Sequence, residues 1–117
     1  MKIYTSNLIG VESNCVYPNE VNAVDVRSFE KAASFDHVMA KYKNSYRSND
    51  NFIESECVPM DIDNDHSENP DDWISSNDLK RIFDGVKFAI VYSRNHRKEK
   101  NGKAARPRMH IYFPIPK

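Results

Sequence analysis

Glycine is scarce in this chain of 117 residues, three in all, and Pro 6 is ordinary. That excludes collagen-like and low-complexity structure and leaves no glycine-rich loop to cradle phosphate. Cysteine is scarcer still. Cys15 and Cys57 lie far apart with no CxxC or CxxH partner, which excludes a four-ligand structural zinc site. In a reducing cytosol both read as small buried hydrophobes. No apolar run approaches the roughly 18 residues that cross a bilayer, and the opening MKIYTS lacks the apolar core of a signal peptide. A cytoplasmic protein without a membrane partner is the expectation. GxSxG is absent, and Asn95-His96 stands without the rest of an HNH nuclease motif.

What is present is enough for one domain, 1–117, since single domains commonly run to about 100–150 residues. The formal net charge is zero, but the average hides a segregation. Residues 48–79 hold ten acids and no Lys or Arg. Residues 94–108 hold seven bases against Glu99 alone. The first block suits cations and the second suits phosphate; as a bland alternative, both are solvated loops.

Residues 3–5 read as a short strand, and alternation over 21–26 as another. Phe29, Ala32, Ala33, Phe35, Val38, Met39 and Tyr42 recur at helical spacing, which predicts a helix over 28–42 that could divide at Ser34. Residues 52–63 read as one strand running into acids, with Pro59 placing it at an edge or bulge. Asn69-Pro70 offers a helix start. Ser75-x-x-Asp78 offers a cap for a short helix with Leu79, Ile82 and Phe83 on its apolar face and Gly85 at its end. Residues 86–92 are apolar enough for a central strand. A basic loop turning at Asn101-Gly102 then leads to a last strand over 109–113. The expected class is α+β (α/β-like), a sheet with helices packed on one face.

Met60-Asp61-Ile62-Asp63 puts two carboxylates at alternate positions of a strand end. Both then face one side, where they can hold a divalent metal, with Ile62 turned to the core. A calcium loop competes: Asp61, Asp63, Asp65 and Asp72 take its positions 1, 3, 5 and 12, although His66 stands where glycine is needed. Beyond the basic loop, Arg108 and His110 also alternate, so they share a face. Arginine offers a fork to phosphate oxygens and histidine a further donor.

The order MDIDNDH, helix, FAIVYSRNH, basic loop, RPRMHIYFP resembles the archaeo-eukaryotic primase superfamily, in particular primase-polymerases of bacterial mobile elements and phages. The resemblance covers roughly residues 52–116. It implies an RRM-like primase-polymerase sheet in which Asp61 and Asp63 bind catalytic Mg²⁺ or Mn²⁺ and His110 contacts the phosphates of the incoming nucleotide. Ser93, Lys103, Arg106 and Arg108, with Arg97, complete the expected nucleotide contacts. Arg108 replaces the small Ser of the family's second motif, and Ser93 sits across the loop. The third acidic motif is not matched before Lys117, so the chain reads as the N-terminal portion of the catalytic domain.

The resemblance implies DNA-replication chemistry: primer or DNA synthesis from nucleoside triphosphates on a single-stranded template. The competing expectation is an inactive primase-fold protein of a phage or mobile element. Such a protein would bind nucleic acid or a protein partner, for example to inhibit a host defence nuclease such as a CRISPR effector, its acids standing in for phosphate.

Overall fold

A computed structural model describes residues 1–115. The described residues are α+β, with eight short strands in three small sheets and two α-helices. The chain divides into two compact units, Met1–Val58 with the segment from Pro114, and Pro59–Phe113. Among the described residues no helix is long and apolar enough to cross a membrane.

In the first unit β1 (Lys2–Thr5) is the middle strand between β2 (Asn19–Asn22) and β3 (His37–Val38), both antiparallel to it. Ile3 is fully buried there. Helix α1 (Val26–Ala33) begins at Asp25, whose carboxylate accepts from the Ser28 N–H in a capping box. The strand expected over 21–26 therefore ends at Asn22, and Val26 belongs to the helix.

The helix expected over 28–42 also stops early. Ser34 Oγ donates to the Lys31 carbonyl at 2.6 Å and closes α1. Val38 then pairs with Tyr4 in β3, and β4 (Ala40–Tyr42) pairs with β5 (Phe52–Ser55). Of the apolar residues beyond Ser34, Val38 falls in β3 and Tyr42 in β4, while Phe35 and Met39 lie outside the strands; pairing partners remote in sequence outweigh a local helical period.

The second unit is built on the sheet β6 (Cys57–Ile62), β8 (Met109–Pro114), β7 (Ala89–Tyr92), with β8 in the middle. Two expectations are corrected here. Residues 52–63 form two strands, broken at Glu56, although Pro59 does lie on an edge strand as expected. Residues 86–92 supply an edge strand that begins only at Ala89. The central position belongs to β8, whose Met109 and Ile111 are buried while β7 is half-exposed.

Asn69-Pro70 opens a single 3-10 turn, Pro70–Asp72. The helix itself, α2 (Ser76–Ile82), starts at Ser75 through the expected box: Ser75 Oγ accepts from the Asp78 N–H while Asp78 accepts from the Ser75 N–H. Gly85 follows at φ 81°, a left-handed turn that glycine makes without strain.

Leu79 of α2 packs with Met109 and Ile111, ringed by Met60, Ile62, Ile74, Phe83, Phe88, Ile90 and Phe113. Phe83 meets Phe113 edge-on at 5.0 Å between centroids, and Phe88 lies 5.7 Å from Phe113. Burial of Leu79 alone is worth about 1.5–3 kcal/mol. This apolar layer takes one face of the sheet. Strand alternation therefore sends Asp61 of β6 and His110 of β8 to the other face.

Candidate functional site: an acid–histidine face with a clamped loop

Asp61 and His110 sit side by side on neighbouring strands. His110 Nδ1 lies 2.6 Å from Asp61 Oδ1, with the side chains 39% and 65% exposed. An ionised carboxylate only accepts, so Nδ1 carries the proton of this contact. Tyr112 lies nearly parallel to the imidazole, at 12° and 6.4 Å. Asp63 is exposed as well, with Oδ1 4.0 Å from Arg108 Nη1. The Asp61–His110 and Asp63–Arg108 contacts advance in opposite directions along the two strands, so the acid pair and the Arg-x-His pair match position for position.

The arginines are sunk into the unit rather than held out from it. Arg108 is 1% exposed and donates through Nη1 to the Asp63 carbonyl and to Asp65 Oδ1, both at 3.0 Å; its Nε and Nη2 meet no acceptor among the described residues. Arg106, fully buried, donates to the carbonyls of Asn64 (2.9 Å), Ser67 (3.1 Å) and Ala104 (3.0 Å) and to Glu68 Oε2 (2.8 Å). Its guanidinium rests on the Trp73 ring at 4.9 Å. A buried cation is tolerable only when paired and hydrogen-bonded, and here all the partners but the Ala104 carbonyl come from Asp63 and the loop that follows it. Arg106 and Arg108 thus fix that loop's path.

Burial by itself would raise the Asp65 carboxyl. The hydrogen bond from Arg108 and the charges of Arg108, Lys103 and Arg106 outweigh it and hold the group below the usual carboxylate range. Lys103 Nζ approaches Asp65 at 3.8 Å. Ser93 has a turn role: its N–H donates to the Arg108 carbonyl at 3.0 Å and its Oγ accepts from the Asn95 N–H.

Asn64 was missed from sequence and is the buried pin of the loop. It is 3% exposed with φ 56°, a left-handed conformation that Asn tolerates better than most residues. Its Oδ1 accepts from the Ile74 N–H at 2.8 Å, and its Nδ2 donates to the carbonyls of Ile74 and Pro107 at 3.0 and 2.8 Å. One side chain thereby ties the acid motif, the approach to α2 and the entry of β8. The usable signal was an Asn wedged between two acids immediately after a strand.

Asp61 and Asp63 suit a hard divalent cation of the magnesium kind, which takes one or two carboxylates and fills its shell with water and phosphate oxygens. No group of three or more His, Cys, Asp or Glu side chains is gathered for a metal among the described residues. The acids of the competing calcium loop are turned to other partners, Asp65 to Arg108 and Asp72 to Ser67 Oγ at 2.7 Å. Searches against protein-family models, curated proteins and solved structures return no match for this chain.

Proposed function

We propose that residues 59–113 are the nucleotide-binding part of a primase-polymerase-type nucleotidyltransferase, built on an RRM-like sheet. The observation that carries this reading is the 2.6 Å contact between Asp61 and His110, which gathers an acid pair and a histidine onto one exposed sheet face. Asp61 and Asp63 are the residues that would hold Mg²⁺ or Mn²⁺. A bound cation there supplies charge neutralisation for a triphosphate.

On this reading Asp61 orients His110 so that, in the imidazolium form, its Nε2–H donates to a phosphate oxygen of the incoming nucleoside triphosphate. Arg106 and Arg108 serve the site from behind, by holding the loop that carries Asp63. Single-stranded nucleic acid is the template partner. The competing role, an inactive fold whose acids imitate phosphate for a protein partner, is less favoured because Asp65 and Glu68 are already occupied by arginine.

Thermal unfolding with Mn²⁺ and a nucleoside triphosphate, separately and together, tests the proposal. A ligand at about 100 times its Kd adds about 2.7 kcal/mol to the folded state. The expected result is a rise in melting temperature that needs both ligands and is lost in Asp61→Ala/Asp63→Ala. A triphosphate shift that survives the double substitution, or no shift at all, overturns it.

A further inference from the structure

With Arg106 and Arg108 buried and Lys103 beside Asp65, the cations left over in the basic segment are Arg94, Arg97, Lys98 and Lys100, three exposed and the last half-buried. Among the described residues none of the four forms an ion pair, and Glu99 is the only acid between them. They lie on an arm with a defined frame. The Arg97 N–H donates to the Arg106 carbonyl at 2.8 Å and the Lys98 N–H to the Asn95 carbonyl. Lys100 and Lys103 exchange backbone hydrogen bonds across a turn in which Asn101 and Gly102 take φ 52° and 75°. Two consecutive left-handed residues are the signature of a tight hairpin turn.

At the root of the arm are two rings. Tyr92, 53% exposed at the end of β7, stacks on His96 at 4.3 Å with the planes tilted by 33°. His96 Nδ1 in turn accepts from the Arg108 N–H at 3.1 Å, which ties the ring pair to the residue before β8; Tyr92 is paired with Met109, so its ring lies on the sheet face opposite His110. Unpaired cations on a braced arm with aromatic faces at its base are the two elements of a single-strand surface. The cations track phosphates, and the rings stack on bases whatever their identity.

We propose that residues 92–103 form the surface on which a single strand of nucleic acid lies, phosphates along Arg94, Arg97, Lys98 and Lys100 and a base against the Tyr92–His96 pair. The proposal rests on the nucleotidyltransferase reading, since it locates that enzyme's template strand, but its test needs neither metal nor triphosphate.

Fluorescence anisotropy of a labelled oligothymidylate provides that test. Four phosphate contacts on a single strand give a log–log salt slope of about −2.8, so moving from about 50 to about 200 mM salt weakens binding about 50-fold. Arg97→Ala/Lys98→Ala, confined to exposed side chains, removes two contacts and leaves a loss of about 7-fold over the same range. Tyr92→Ala weakens binding between about 5-fold and about 150-fold, and Tyr92→Phe, which keeps the ring, restores it.

A salt slope unchanged in the double variant overturns the proposal. So does equal affinity for vesicles of anionic phospholipid, which marks a merely cationic patch. Oligonucleotide binding without an Mn²⁺-dependent triphosphate shift sinks the enzyme reading alone, and the reverse pattern sinks this one.

Discussion

Asn64 carries three hydrogen bonds from a backbone conformation that few residues accept. Removing the amide leaves the half-buried Ile74 N–H and the buried Pro107 carbonyl without those partners, a cost of about 1–3 kcal/mol. Alanine adds the strain of the left-handed backbone, which glycine avoids. Urea unfolding should therefore rank wild type above Asn64→Gly and Asn64→Gly above Asn64→Ala. An Ala variant as stable as the Gly variant contradicts the backbone part of the account. That Asp61 and Asp63 share a face, and likewise Arg108 and His110, was legible because alternation along a strand is a strict period; that the two pairs meet was not, since they lie on different strands. Asn64 was not: an Asn between two acids after a strand marks a turn, but the partners lie 10 and 43 residues away and that local signal does not name them.

Helix α2 shows an element readable from its own residues. The Ser75–Asp78 box forms as its spacing predicts, and Leu79 falls on the buried face. Hydrogen bonds from the Ser75 backbone and hydroxyl hold the Asp78 carboxyl below its usual range. Replacing Ser75 with alanine should cost about 1 kcal/mol, read as a lower urea midpoint with an unchanged m-value; no loss would mean that tertiary packing alone sets the helix start. Residues 28–42 fared differently. Their apolar spacing is compatible with a helix and with a helix followed by two strands. Only the strands waiting at Tyr4 and at Phe52–Ser55 decide between them, and those partners are invisible to a local window.

At the scale of the whole molecule, equal numbers of acids and bases conceal an internal pairing of the two charge blocks within one unit. The segregation was legible; that Arg106 and Arg108 turn inward to grip the acidic loop was not, since arginine is usually exposed. Acid should loosen this arrangement in two stages. Burial, with Arg97 nearby, pushes the His96 imidazole below its ordinary 6.5. The unfolded chain then takes up a proton that the folded one refuses, and stability falls as pH drops below about 6.5. Asp65, depressed from 3.8, adds a second loss as pH falls through its folded value. Melting temperature followed from pH 8 to 5 should decline, and His96→Asn should flatten the upper part of that decline; an identical profile in the variant rules out His96 as its source. The two arginines also hold the loop largely by its peptide carbonyls, at Asp63, Asn64 and Ser67. A segment gripped by its main chain keeps its course while its side chains change. His66, whose side chain bonds to the Asp72 carbonyl and to neither arginine, is therefore open to replacement by drift or by design, and the chemistry displayed at this edge can be rewritten without redrawing the fold beneath it.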